Sequence, residues 1–361
     1  MRMSTYSLDG FFSQLTLSER PLVVVVAPNF EDRSMSFLKR FVDRVSVDQG
    51  DVRWLMFTLQ GPHIQQLLDA IKARNARRCW QLLEEHRPQS ARLHEVVQYP
   101  TEIERFVHRL ASHIADLDAE VDLLIDYSSI PRRLLTQLLG RIAGTGPVES
   151  KLYRVRDLWL SYTWADSYPD AIKDEFIGDI VGNYSRDSLE SLMNGKEMVE
   201  LIIFLGGSVH EVSATLEIAR RANLGNNLKI VLVVYYGDVN HGNSDWVLRN
   251  HHKILRDEFS KDASSVRFVY SIEDVVSFLN ASVRQSACLA KGNRGLFAIA
   301  PFGPKPISVA AHFALDTYRG LAAGAGPAAS NCEMLTISGS QYLSVYSLGE
   351  SVGHLFRIED V

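Results

Sequence analysis

Apolar runs without a polar interruption alternate along this chain with stretches whose apolar residues recur at helical spacing. The first run is LVVVVA at residues 22–27, which stands between Pro21 and Pro28. A run with no polar position is typical of a strand that is buried on both faces, as in a parallel sheet. Residues 37–45 follow with apolar side chains three and four positions apart, which indicates an amphipathic helix. The pattern therefore predicts a strand followed by a helix.

The same alternation recurs through both halves of the chain. In the first half it predicts strands at 52–59, 121–126 and 151–163, and helices at 62–87, 101–117 and 133–142. In the second half it predicts strands at 201–205, 228–235, 266–270 and 295–300, and helices at 211–222, 245–259, 272–288 and 307–315. Strands that alternate with helices favour a parallel sheet covered on both faces. The predicted fold class is therefore α/β, with two Rossmann-like doubly wound parallel-sheet units.

A polar, irregular stretch at residues 166–198 separates the two predicted units. We interpret it as the connection between an N-terminal Rossmann-like domain, 1–165, and a C-terminal Rossmann-like domain, 199–361. The tail of the second domain alternates around turns at Gly339 and Gly349. This alternation predicts a C-terminal β-hairpin.

The two halves share local features that indicate an internal duplication. An acidic residue follows the first strand of each half, at Glu31 and Glu211. Late in each half a strand runs into a turn with a base beside proline, as LLIDYSSIPRRLLTQLL at 123–139 and FAIAPFGPKPISVAAHFA at 297–314. In this correspondence Arg132 matches Lys305. If the halves pack about a pseudo-two-fold axis, these turns would face one cleft, because ligands of open α/β sheets bind beyond the carboxyl ends of the strands.

Composition narrows the class of protein. The 361 residues are 46% hydrophobic and 22% charged, as expected of a globular chain with a substantial core. The net charge of −5 provides no global attraction to nucleic acid or to an anionic membrane, so any such binding would be local. Three dispersed cysteines, no basic-then-apolar leader and no apolar run of ~20 residues predict a cytoplasmic protein without a membrane anchor.

The turn at 301–306 is the first candidate binding site. Gly303 lets the backbone turn sharply or approach a ligand, and Lys305 places a positive charge where the next helix begins. The free N–H groups of that helix would face the same anion. The alternative is that glycine and proline only shape a loop and Lys305 is solvated, and the sequence leaves both interpretations open.

The second candidate site is the segment DYSSIPR at 126–132. Hydroxyls of Ser128 and Ser129, the guanidinium of Arg132 and helix N–H groups could together hold a phosphate or a carboxylate. Alternatively a serine caps the helix and Asp126 accepts backbone N–H bonds. Basic residues at a helix start work against the helix dipole unless an anion is near, which favours the ligand interpretation.

Other acidic and glycine-rich positions complete the set of candidate residues. Glu31 or Asp32 could serve ribose hydroxyls, a metal or acid–base chemistry, or could only favour a helix N-terminus. With Asp126 they are the candidate catalytic residues. A further ligand-binding group is formed by Gly206, Gly207, Ser208 and Glu211. The glycine pair is no GxGxxG or GxxxxGK[ST] element, so dinucleotide-fingerprint and P-loop binding are disfavoured.

Histidine, lysine and arginine side chains provide further candidate binding sites. His210, His241, His251 and His252 lack helical ligand spacing with a supporting acid, so we predict no metal site and place them on the surface or in loops. The helix at 62–87 is strongly basic, with Lys72, Arg74, Arg77 and Arg78 close together. Such a cluster is either a solvated helix face or a binding patch.

The sequence APFGPKP at 300–306, between a strand and a small-residue helix, resembles the late Gly-x-Lys element of CRISPR-associated Rossmann-fold (CARF) sensor domains. In that family the element helps bind a cyclic oligoadenylate. The resemblance covers about twenty residues, and it departs from the family pattern at Pro304, where threonine is usual, and at Phe302, where glycine is usual. No recognisable effector domain accompanies it. The resemblance implies phosphate or nucleotide binding.

The sequence thus predicts binding of a nucleotide or another phosphorylated small molecule in a cleft between the halves, as a sensor or regulatory component such as those of anti-phage defence. A hydrolase or transferase acting on a nucleotide is one alternative. A protein-interaction scaffold is another, and both a protein partner and self-association are compatible with the sequence. No cofactor is identified by any motif.

Overall fold

The computed structural model describes residues 2–7, 12, 20–29, 31–45, 51–60, 66–87, 90–98, 102–142, 154–164, 193, 196, 198–206, 209–222, 227–237, 241–289, 295–322, 332–335 and 353–359. The chain divides into two compact units. The first comprises Met1–Pro169 together with Tyr342–Val361, and the second comprises Asp170–Gln341.

The first unit contains a seven-stranded mixed sheet. With numbering in chain order, its strands are β1 (Arg2–Ser7), β2 (Leu22–Val26), β3 (Val52–Gln60), β4 (Arg92–Gln98), β5 (Val121–Asp126), β6 (Val155–Thr163) and β12 (Gly353–Glu359). Its helices are α1 (Ser36–Arg44), α2 (Gln66–His86), α3 (Ile103–Ala115) and α4 (Arg132–Ile142). The strand order is β1-β12-β6-β5-β2-β3-β4. The last five of these are parallel, whereas β12 runs antiparallel to both of its neighbours.

The second unit contains a five-stranded, all-parallel sheet. Its strands are β7 (Met198–Phe204), β8 (Asn227–Tyr235), β9 (Val266–Val269), β10 (Gly295–Pro301) and β11 (Cys332–Met334). Its helices are α5 (Val209–Ala222), α6 (His241–Lys261), α7 (Ile272–Leu289) and α8 (Lys305–Ala322). The strand order is β11-β10-β7-β8-β9. The predicted α/β class with alternating strands and helices is therefore confirmed.

The five parallel strands of each unit occur in the same order. In the first unit the chain runs from β2 outward to β3 and β4, then returns to the other side of β2 for β5 and β6. In the second unit it runs from β7 to β8 and β9, then returns to the other side of β7 for β10 and β11. The order reverses between β2 and β5 in the first unit and between β7 and β10 in the second. Such switch points leave a crevice beyond the carboxyl ends of the two strands.

Hydrophobic patterning explains the central elements. The side chains of β2 and β10 are buried along the whole strand, as their apolar runs predict. Helix α1 packs Phe37 and Phe41 into the first core, where the Phe41 ring meets Trp54 of β3 edge to face with centroids 5.1 Å apart. The amphipathic helix predicted from residues 37–45 is therefore confirmed, and its apolar face packs in the core.

The tail contributes strands to both sheets. Its two described strands lie in different sheets, since β11 pairs with β10 and β12 pairs with β1 and β6. Leu355, Phe356 and Ile358 of β12 are fully buried, so burial of these side chains draws the strand into the first sheet. The residues proposed as turns, Gly339 and Gly349, and most of the connection at 166–198 lie outside the described residues.

Two strands have no counterpart in the sequence prediction. β4 has the sequence RLHEVVQ and lies at the sheet edge, where most of its side chains are partly or fully exposed. β1 lies at the opposite edge and is paired antiparallel to β12. Edge strands often carry polar or charged side chains, which discourage pairing with other chains, so the apolar run that marks a buried strand is missing.

Within the described ranges, none of the helices combines the length and the apolar content that a bilayer crossing requires.

The three cysteines differ in exposure and are expected to differ in reactivity. Cys79 and Cys332 are buried, whereas Cys288 is exposed. Burial raises the pKa of the Cys79 thiol well above its ordinary range and raises the pKa of the Cys332 thiol to about 11. At pH 8 a disulfide reagent should therefore modify one thiol rapidly in the folded chain and all three after denaturation. Cys288→Ser should remove the rapid phase, and a rapid phase that persists would contradict the burial of the other two.

Candidate functional site

The switch point of the first unit brings together the segments that follow β2 and β5. Residues 27–29 leave β2, and residues 127–131 connect β5 to α4. The backbone of these segments is held in place by buried side chains. The predicted residues Asp126, Ser128 and Ser129 all lie here, and each is at most 3% exposed.

The hydroxyls of both predicted serines bond within the protein. Ser128 Oγ donates to Asp126 Oδ1 at 2.6 Å and accepts the backbone N–H of Thr163 at 2.9 Å. Ser129 Oγ donates to the Ala27 carbonyl at 2.5 Å. A hydroxyl has one proton to donate. In this arrangement neither serine has a proton left for an anion, so these bonds join the ends of β2, β5 and β6.

Glu31 forms a buried ion pair. Arg33 Nε donates to Glu31 Oε2 at 2.5 Å, and its Nη1 donates to Tyr162 Oη at 3.0 Å and to the Thr163 carbonyl at 3.3 Å. The guanidinium also lies over the Tyr162 ring, 5.4 Å from its centroid. The pair therefore ties the turn after β2 to the end of β6. Asp32 begins a short 3-10 turn, Asp32–Met35, and its side chain is outside the described part.

Two asparagines extend this network, and neither was predicted from the sequence. Asn29 Nδ2 donates to the Ser129 carbonyl at 3.3 Å. Asn75 Nδ2 donates to the Asn29 carbonyl at 2.6 Å, which also accepts Ser34 Oγ at 3.2 Å. Asn75 lies on α2 and is buried. Its position on the same helix face as the buried Cys79 is the sequence signal that would have marked it as an inward-facing polar residue.

Arg132 is the first residue of α4 and is half-buried. The backbone hydrogen bonds of α4 begin next to Arg132, because Leu135 N donates to the Pro131 carbonyl at 2.9 Å. Arg132 therefore stands where the free N–H groups of the helix lie.

The switch point of the second unit is built by close backbone contact. A Cβ added to Gly206 would lie 1.8 Å from the Phe302 carbonyl oxygen. One added to Gly303 would lie 2.8 Å from Ile307 Cδ1 and 3.3 Å from the Leu205 carbonyl oxygen. Only glycine allows the loops after β7 and β10 to approach this closely. Gly207 and Ser208 lie outside the described residues, and Glu211 is buried in the first turn of α5.

Lys305 occupies the position in the second unit that Arg132 occupies in the first. It is the first residue of α8, it is half-buried, and it follows the strand at which the order reverses. The two units thus present a cation at the same topological place.

His251 differs from the surface or loop position expected for it. It is fully buried on α6, and its Nε2 lies 2.9 Å from the Gly206 carbonyl oxygen. Burial lowers the pKa of His251, while the bond to the Gly206 carbonyl acts in the opposite direction. A carbonyl only accepts, so Nε2 carries the proton of the neutral ring. His251 therefore fixes the loop that contacts Phe302, a tertiary role that spacing in the sequence does not reveal.

In the part of the chain that the structure describes, no group of three or more His, Cys, Asp or Glu side chains is arranged to hold a metal ion.

A scan against models of known protein families finds no match to this chain, and a search of curated proteins finds no significant match.

Proposed function

We propose that this protein binds a nucleotide or another phosphorylated small molecule at the carboxyl edges of its sheets, as a sensor or regulatory component. The observation that carries the proposal is the recurrent cation at the switch point. Arg132 and Lys305 are each the first residue of the helix after the strand at which the order reverses. Two units with the same strand order therefore repeat one feature at the place where α/β sheets bind ligands.

The electrostatics of a helix N-terminus indicate that the ligand beside these cations is an anion. The N-terminus of a helix carries a partial positive charge and unpaired N–H groups, so a cation there is unfavourable by roughly 0.3–1 kcal/mol unless an anion is present. At α4 a phosphate would accept the N–H groups of the first turn and lie beside the Arg132 guanidinium. At α8 Pro306 has no N–H and Ile307 N donates to the Pro304 carbonyl at 3.0 Å, so there the Lys305 ammonium is the main proposed donor. The cation and the backbone, rather than the serine hydroxyls, are thus the proposed donors.

Two of the three carboxylates considered for catalysis already have internal partners. Asp126 Oδ1 accepts the hydroxyl and the backbone N–H of Ser128, at 2.6 and 3.3 Å. Glu31 is paired with Arg33. This arrangement favours binding over turnover. The likeness of residues 300–306 to a CARF element supports the same class of ligand, and a role in anti-phage defence is part of the proposal on that ground alone.

The test is a thermal-shift screen against mono-, di- and cyclic nucleotides. A ligand at 100 times its dissociation constant stabilises the folded state by about 2.7 kcal/mol. Arg132→Ala should reduce the shift produced by a ligand of the first unit, and Lys305→Ala should reduce the shift produced by a ligand of the second unit. A loss confined to one variant would assign the ligand to that unit.

Matched controls remove one exposed positive charge from each unit. Lys253→Ala on α6 and Arg105→Ala on α3 should leave the shift unchanged. A shift reduced equally by the controls would contradict the proposed site, and so would the absence of a shift with every nucleotide. Product analysis on the same samples would reveal turnover, in which case the enzyme alternative replaces the sensor.

A further inference from the structure

An arginine cluster on the exposed face of α2 is independent of the proposed ligand site. Arg74, Arg77 and Arg78 are all exposed. They lie within about one and a half turns of the same helix, so their side chains are neighbours at i, i+3 and i, i+4 spacing. We propose that this arginine face binds the phosphodiester backbone of a nucleic acid.

Among the residues that the structure describes, no carboxylate is paired with the arginine face. The positions three and four residues away on either side hold Ala70, Ile71, Ala73, Asn75, Trp80, Gln81 and Leu82, besides the arginines themselves. Two of the three acids of α2 have other partners, since Asp69 pairs with Lys72 at 3.4 Å and Glu84 lies 3.8 Å from Arg92. The third, Glu85, is seven residues beyond Arg78. None of the carboxylates in the described ranges forms an ion pair with Arg74, Arg77 or Arg78. Like charges at this spacing repel each other, and an anionic partner would relieve the repulsion.

The opposite face of α2 holds the arginine face in a fixed position. Asn75, Cys79 and Leu83 are buried, and Asn75 bonds to the loop after β2. Lys72 Nζ donates to the Leu59 carbonyl at 3.0 Å, near the carboxyl end of β3. The helix is thus anchored on both sides of Arg74, so little ordering of the backbone is required on binding.

The chemistry of the surface favours phosphate over a protein partner. Protein interfaces are centred on exposed aromatic or other large apolar anchors. The large hydrophobic side chains exposed in the described residues all lie outside α2; they are Val96, Phe259, Phe268, Tyr270 and Leu321. Arginine matches phosphate through its planar, bidentate donors. Because the chain as a whole carries −5, binding should be local, modest in affinity and strongly dependent on salt.

The test is fluorescence anisotropy with a short labelled DNA duplex, and a labelled RNA duplex as a second probe. Three phosphate contacts would give a slope of log K against log salt of about −2.7, or a loss of about 40-fold between about 50 and 200 mM salt. The variant Arg74→Gln/Arg77→Gln/Arg78→Gln should bind at least tenfold more weakly at the low salt concentration and lose most of the slope.

The control variant Arg154→Gln/Arg156→Gln/Arg221→Gln removes the same charge from arginines that have ion pairs elsewhere. It should bind like the parent chain, and circular dichroism should show both variants folded. An equal loss in the control would assign the effect to net charge and overturn the proposal. Absence of binding by the parent chain, or equally tight binding of a labelled polyglutamate, would overturn it as well.

Discussion

Replacing Gly206 with alanine is expected to destabilise the second unit by about 3 kcal/mol, the upper part of the usual range for overpacking. The added Cβ would lie 1.8 Å from the carbonyl oxygen and 2.5 Å from the carbonyl carbon of Phe302. These atoms belong to the backbone, so no side-chain rotation can relieve the overlap. The loop after β7 would have to move away from the loop after β10, and its bond with His251 would move with it. Urea unfolding followed by circular dichroism measures the effect.

Gly320→Ala is the matched control for this experiment. Gly320 lies inside α8, and a Cβ placed there meets nothing within 4 Å. Alanine at an open helix position should stabilise the unit by roughly 0.5–1 kcal/mol, because glycine loses more backbone entropy on folding. The two glycine replacements should therefore have opposite signs. Equal stabilities of the Gly206→Ala variant and the parent chain would mean that the two loops do not touch.

Replacing Arg33 with methionine is expected to destabilise the first unit by about 3–5 kcal/mol. The change leaves the carboxylate of Glu31 buried without its cation, and it removes the donors to Tyr162 Oη and to the Thr163 carbonyl. Arg33 is 1% exposed and Glu31 is 6% exposed, so water cannot easily replace the lost partner. Chemical denaturation of the first unit provides the measurement.

Two further variants show whether burial is the cause. Arg33→Met/Glu31→Gln removes the uncompensated charge, so it should recover part of the lost stability. Arg105→Met breaks the exposed pair with Glu102 and should cost less than about 1 kcal/mol. A small effect of Arg33→Met, similar to that of Arg105→Met, would show that the pair is hydrated in solution.

Much of the fold could be predicted because its central strands are buried on both faces. The run that begins at Leu22 is an uninterrupted apolar segment, and Val121–Asp126 has three consecutive apolar residues between two aspartates. Both became central strands. The partner of β12 could not be predicted, since strand pairing between residues 353–359 and residues 2–7 leaves no local signal. The same holds for β4, whose exposed edge position allows a polar sequence.

The position of the candidate site could be predicted from the sequence, but the partners of its polar side chains could not. Polar turns after β5 and β10 were recognised, and the topology puts both beside a switch point. Ser128 Oγ donates to Asp126 and accepts the backbone N–H of Thr163. The second bond could not be predicted, because Thr163 belongs to β6, which is distant in sequence. Asn75 and His251 reach the crevices from helices, and only tertiary packing reveals which loop each one touches.

The place of β12 in the first sheet has a consequence for synthesis on the ribosome. Residues 2–7 form the strand next to β12, yet roughly 350 residues separate the two, a delay of roughly 20 to 70 s at ~5–20 residues per second. During that time the second unit, whose chain is continuous, can fold, while β6 presents an open edge to other chains. Conditions that slow elongation should therefore favour aggregation through the first sheet, and co-expressed chaperones that shield nascent chains should raise the soluble yield.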